Sequence, residues 1–159
     1  LEFLYPTRNL QAGELDQAVR AQILPGQPRP PLGNVTLNGM LKGFVDLVFE
    51  RGGRYYVADY KSNWLGTSAQ SYTPERLQAA VLEHRYDLQL VLYTLALHRQ
   101  LAARLPGYDY DQHMGGGVYL FLRGVDAPGH GVFHHCPPRA LIEWLDHRMA
   151  AGPNREATA

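Results

Sequence analysis

The sequence predicts a mixed α/β domain with a small central sheet, and three observations predict it. Two β-rich runs joined by a Gly-Gly pair come first, a long segment with helical spacing follows, and a short apolar run with a final amphipathic segment completes the order. At 159 residues, 45% of them hydrophobic and 19% charged, the chain has the size and apolar content of one domain with a single core. We expect that domain over residues 1–150 and a polar, proline-containing, flexible tail over 151–159.

Taken in order, Leu1 to Tyr5 reads as a short strand. A stretch rich in Gly, Pro, Asn and Gln follows through Asn34, with a turn or two of helix around Leu15 to Ile23. Thr36 to Phe49 and Arg54 to Lys61 are the β-rich runs, and Gly52-Gly53 between them supplies the positive φ angles of a hairpin turn. Ser62 to Tyr72 is a polar loop carrying Trp64. Thr73, Pro74 and Glu75 then read as a helix start, with Thr at the cap and Pro at the first helical position. Leu77, Val81, Leu88, Val91, Leu92 and Leu95 keep helical spacing as far as Leu105, with a break near His84 to Tyr86, before Pro106-Gly107 stops the run. Gly115 to Gly117 leads into a buried strand over Val118 to Leu122. Gly131 to His135 and an amphipathic helix over Pro137 to Met149 close the fold.

Composition excludes several functions. No apolar run approaches the roughly 20 residues of a membrane span and Leu1 to Pro6 lacks signal-peptide features, so we expect a soluble, cytoplasmic protein without membrane contact. One cysteine, Cys136, rules out an internal disulfide and any multi-thiolate zinc or iron-sulfur site. His134-His135 beside it reads as an ordinary strand end. Formal net charge is zero, which neither supports nor excludes a nucleic-acid substrate. Among 15 cationic residues only Lys42 and Lys61 are lysines, so a lysine here is a mild flag for chemistry. No phosphate-binding Gly-x-x-x-x-Gly-Lys-Ser/Thr loop is present.

With Gly52-Gly53 as the turn, partners across the hairpin have numbers summing to 105, which sets Asp46 opposite Asp59. Side chains so placed lie about 5 Å apart at Cβ. At about 4 Å and an effective dielectric near 20, two unit charges repel by roughly 4 kcal/mol, so the pair must be protonated, solvated or neutralised by a cation. A hard divalent ion such as Mg²⁺ fits best. Lys61 lies two residues beyond Asp59 and hence on the same face, among Tyr55, Val57, Phe44 and Val48. Any one of these charges alone is as readily a solvated outer-face residue; all three together favour a site. Tyr86, Gln89 and Tyr93 fall on one stripe of the neighbouring helix.

Gly43-Phe44-Val45-Asp46, the glycine turn and Asp59-Tyr60-Lys61-Ser62-Asn63-Trp64 resemble the active-site hairpin of the PD-(D/E)XK nucleases. The longer pattern is similar to the RecB type of nuclease domain, from exodeoxyribonuclease V. It adds His84 through Gln89, Tyr93 through Arg99, and Tyr119 through Asp126. The resemblance implies a restriction-endonuclease-like core and a deoxyribonuclease acting in double-strand break repair and recombination. It implies that Asp46, Asp59 and the backbone carbonyl of Tyr60 hold Mg²⁺, for which Mn²⁺ can substitute, and that Lys61 orients or activates the attacking water. Gln89 and Tyr93 match the family's accessory motif, with Tyr86 beside them, and the products would carry a 5′-phosphate and a 3′-hydroxyl. The implied partners are DNA, RecC-like and RecD-like subunits and a helicase region, to which any ATP dependence belongs. The family's further histidine ligand lies on a helix that would precede Leu1, so we expect a fragment of a longer protein. The competing reading is a catalytically incomplete module that binds DNA or docks a subunit. Trp64 and Tyr72 are open between stacking on unpaired bases and capping the core, and Glu2 reads as a surface carboxylate.

Overall fold

The computed structural model describes residues 1–150, so the expected tail lies outside the described residues. Two sheets form. β1 (Glu2–Gln11) pairs antiparallel with β2 (Thr36–Phe44) in a two-stranded ribbon. The second sheet has four strands in the order β3 (Leu47–Arg51), β4 (Arg54–Lys61), β5 (Met114–Phe121) and β6 (Val132–His135). β4 and β5 are parallel and the other pairs antiparallel. Parallel neighbours need a crossover, and α2 (Pro74–Glu83) with α3 (Tyr86–Arg104) supply it. α1 (Ala12–Gln22) follows β1, the single turn α4 (Tyr110–His113) precedes β5, and α5 (Arg139–Ala150) ends the described chain. The mixed α/β class with a small mixed sheet and flanking helices is therefore what forms.

The hairpin register follows the turn chemistry. Gly52 and Gly53 have φ of 63° and 79°, a two-residue turn that matches strand twist, and Arg51 pairs with Arg54 through to Leu47 with Ala58. Beyond that point the expectation fails by one residue. Asp46 lies outside the ladder, and the expected single run Thr36 to Phe49 is two strands with different partners. The interruption at Val45-Asp46 has a cause: Val45 turns into the core while the Asp46 carboxylate accepts the Tyr60 N–H at 3.0 Å, replacing a ladder bond by a side-chain one. Phe44 consequently belongs to the ribbon, where Lys42 sits over its exposed ring, and not to the face carrying Asp59.

β1 is twice the expected length. Phe3, Tyr5 and Thr7 alternate inward, and a bulge at positive-φ Asn9 restores Leu10 to the core. α1 is correspondingly a full helix of 11 residues that buries Leu15 and Val19. The break near His84 to Tyr86 is real, with Arg85 at φ 56° between α2 and α3. Thr73 and Pro74 start α2 as expected, although the Thr73 side chain makes no capping bond. β5 begins at Met114, earlier than expected, because its glycines admit close neighbours: a Cβ at Gly117 would collide with Leu90 of α3. Leu90, Val91, Leu95 and Leu97 pack α3 against the sheet and α5, each removing roughly 1.5–3 kcal/mol of apolar surface from water.

A buried ionic clasp ties the irregular 24–35 segment to the α2–α3 junction. Arg29 donates to Asp87 at 2.8 Å, and both side chains are fully buried. The second guanidinium nitrogen of Arg29 donates to the Ile23 and Leu24 carbonyls. Arg85 donates to Asp87 at 3.1 Å and to Asp16 at 2.7 Å, and Arg20 reaches Asp16 from one turn away. Every charge in the clasp faces an opposite one, a condition under which buried ions are tolerated, although Asp16 Oδ1 is held by charge proximity without a hydrogen bond.

Candidate active site

β4 is bonded to β3 as far as Ala58 and to β5 through Lys61, so the β5 ladder carries it past the end of β3. Alternation turns Val57, Asp59 and Lys61 toward α3, and Asp59 and Lys61 are only 8% and 6% exposed. The Lys61 ammonium lies 2.6 Å from Asp59 Oδ2 and donates to Gln89 Oε1 at 2.7 Å. It also sits 3.7 Å from the centre of the Tyr86 ring and 4.7 Å from that of Tyr119. Two oxygens and two π-faces therefore fix the position of this cation. Asp46 remains solvent-exposed at the mouth, anchored through the Tyr60 N–H.

Asp59 is under-compensated. Burial raises its pKa above the ordinary carboxylate value, Lys61 pulls it back, and the nearby Asp46 charge raises it again, leaving a net upward shift. Lys61 pairs with Asp59 alone, and Asp46 adds a second carboxylate nearby. The donor set suits a hard cation, since Asp46 and Asp59 present oxygens and no thiolate or imidazole competes. Among the described residues no group of three or more His, Cys, Asp or Glu is placed to hold a metal. An ion here would complete its shell with backbone and water oxygens, the Tyr60 carbonyl being the backbone candidate.

The helix stripe assembles as spaced. Gln89 is bifunctional: its oxygen takes the Lys61 proton while its Nε2 donates to Tyr93 OH at 2.9 Å. Tyr93 packs edge-on to Phe3 and its pKa is raised, by burial and then by the Asp59 charge, so it stays protonated. Tyr86 donates to Asn63 Oδ1 at 3.2 Å, and Tyr119 donates to the Tyr86 carbonyl at 2.8 Å. Asn63 and Tyr119 are site-supporting residues that reading the chain did not single out. Tyr119 arrives through the parallel register that sets it beside Asp59, and its place on alternate residues of an apolar strand was the available signal.

Other candidates separate. Tyr72 is a core cap, 1% exposed, its hydroxyl bonded to the Leu65 N–H and the Asn63 carbonyl, whereas Trp64 is exposed. Glu2 pairs with Lys42 at 2.7 Å across the ribbon. His134 bonds the Gly115 carbonyl, and Cys136 makes only weak contacts to the carbonyls of Met114 and Pro137.

Known proteins carry the same pattern. A model of the PD-(D/E)XK nuclease superfamily matches residues 9–154. The RecBCD enzyme subunit RecB of Escherichia coli K12 is 48% identical over 160 residues, covering 99% of this chain and 14% of that one. The RecB subunits of Buchnera aphidicola from Acyrthosiphon pisum and of Mycolicibacterium smegmatis are 38% and 43% identical, over 90% and 76% of this chain and 12% of each of theirs. The chain thus spans about a seventh of the E. coli relative's length, or less in the other two. No described helix is long and apolar enough to cross a membrane.

Proposed function

Because the chain belongs to the PD-(D/E)XK nuclease superfamily, we propose that it hydrolyses DNA phosphodiester bonds with Mg²⁺, as the nuclease part of a RecBCD-type helicase-nuclease in double-strand break repair and recombination. The observation that carries this reading is the convergence of Asp46, Asp59 and Lys61 at one end of the β3–β4 hairpin, with Asp59 left short of neutralising charge. Its partners in that setting are DNA, RecC-like and RecD-like subunits and the RecB helicase region, in the cytoplasm.

Asp46, Asp59 and the Tyr60 carbonyl would hold the divalent ion, which when bound lowers the pKa of water and polarises a scissile phosphate. The remaining work falls to the chain's own groups. Lys61, a compact point charge pinned by Gln89 and two aromatic faces, orients a water for attack and offsets the charge that builds on the phosphate oxygens. Gln89, itself donating to Tyr93, gives that ammonium a second oxygen partner beside Asp59, and Tyr86 together with Asn63 fixes the loop that leaves the strand. Partial burial of the pair strengthens each of these interactions relative to water.

Crystals of the chain soaked in Mn²⁺, with the ion located by anomalous scattering, test the site alongside DNA hydrolysis by wild type and Asp59→Ala. A peak between Asp46 and Asp59, with cutting abolished in the variant, is the expected result. No peak together with unchanged cutting would overturn the assignment, and an absence of cutting in wild type would favour the DNA-binding or subunit-docking module.

A further inference from the structure

Among the described residues no large apolar side chain is more exposed than Trp64, at 66%. An indole left in water beside a half-buried active site forfeits one of the largest burial gains any side chain offers, which singles it out from scattered exposed aliphatics. Three residues of extended chain separate it from Lys61, so its Cα lies within about 11 Å of the lysine Cα. The backbone around it is fixed from every side. The Lys61 carbonyl accepts from the Leu122 N–H at 3.0 Å, and the Ser62 carbonyl accepts from Arg123 Nε at 3.1 Å. Asn63 is held by Tyr86 and by Tyr72, whose hydroxyl also accepts from the Leu65 N–H at 3.1 Å. A loop pinned on both sides of one unpacked aromatic presents that ring without an ordering cost on binding.

We propose that Trp64 is a stacking platform for an unpaired base of the DNA strand entering the hairpin site, with the exposed Arg123 guanidinium meeting the adjoining phosphate. The inference rests on the nuclease reading and assigns Trp64 and Arg123 to strand contact beside that site. Stacking suits that role because every base has a π-face, so the contact is tolerant of sequence, while stacked bases inside a duplex are closed to it. Arg123 is suited to the phosphate because Ser62 already occupies its Nε, orienting the remaining fork outward from the loop.

The test is quenching of tryptophan fluorescence by an oligo(dT) strand in EDTA, in a Trp144→Phe background that leaves Trp64 as the sole indole, with a hairpin-capped duplex as comparator. Oligo(dT) should quench and the duplex should not. Trp64→Ala, followed by fluorescence anisotropy of labelled DNA, should weaken binding roughly ten-fold, Trp64→Phe should restore most of it, and in Mg²⁺ the alanine variant should raise KM more than it lowers kcat. Equal quenching by duplex, or a wild-type chain that cuts DNA without any quench and an alanine variant that binds normally, overturns the stacking role and leaves the nuclease reading standing. Quenching dependent on Trp64 in a chain that shows no metal-dependent cutting sinks the nuclease reading instead, and absence of both removes both.

Discussion

Charge is buried in two places in this molecule, and the two are satisfied to opposite degrees. In the clasp, Arg29, Arg85, Asp16 and Asp87 alternate in sign and each is ion-paired, Arg29 also donating to the Ile23 and Leu24 carbonyls. At the hairpin, buried Asp59 pairs with Lys61 while the exposed Asp46 carboxylate stands nearby. The titration behaviour of the acids follows. Burial opposes ionisation of Asp16, yet the neighbouring Arg20 and Arg85 hold its pKa below the ordinary value, whereas burial and Asp46 leave Asp59 above it. The comparison teaches that a buried charge is not itself a mark of chemistry. The mark is a charge that the surrounding protein leaves for something else to neutralise.

The largest expected effect separates the two regions by function. Asp59→Ala should cut DNA hydrolysis by at least about 10³-fold, seen in a Mg²⁺-dependent nicking assay, because it removes the partner of Lys61 and, under the proposed function, an oxygen that would hold the metal. The next separates them by stability. Arg29→Ala should lower the unfolding free energy by about 3 kcal/mol in urea titration, by removing the buried partner of Asp87, which keeps Arg85, and the donor to the Ile23 and Leu24 carbonyls, while the folded fraction still cuts DNA. A third probes how far the site depends on its helix. Gln89→Ala frees the Lys61 ammonium on one side and should slow hydrolysis about ten-fold with a stability change near 1 kcal/mol. An equal loss in both assays would mean that Gln89 belongs to the scaffold.

The smallest effect is one of sign with pH. Asp16, with a depressed folded pKa, contributes stability that is present above the unfolded carboxylate pKa of about 3.9 and is lost as pH falls through its own lower value. Asp59 runs the other way: its ionised form costs stability at neutral pH, and the cost is relieved as pH falls from its raised folded pKa toward the unfolded one. Melting curves in EDTA should therefore show Asp16→Asn gaining on wild type as the solution is acidified and Asp59→Asn losing ground. Parallel drifts would erase the distinction between clasp and site.

Much of this was legible in the chain because it depends on local rules. The Gly-Gly turn fixed the pairing from Arg51–Arg54 to Leu47–Ala58, helical spacing located the break before Tyr86, and three offsets put Tyr86, Gln89 and Tyr93 together. What escaped was long-range. Asp46 leaves the ladder to hold the Tyr60 N–H, a competition between side-chain and strand bonding that no period-two count exposes. Arg29 reaches Asp87 from 58 residues away out of a segment that reads only as irregular. β1 passes through Pro6 and a bulge that hide its alternation, and Tyr119 becomes part of the site only through a parallel pairing across the whole α2–α3 crossover.

The parallel bond between β4 and β5 has a further consequence. β4 pairs with β3 only as far as Ala58 but with β5 through Lys61, so the amides of Val57 and Ala58 lie between two strands and should exchange with solvent deuterium more slowly than those of Asp59 to Lys61, which have a strand on one side only. Asp59 and Lys61 thus sit at the end of β4 that can open first, and thermal inactivation should precede global melting.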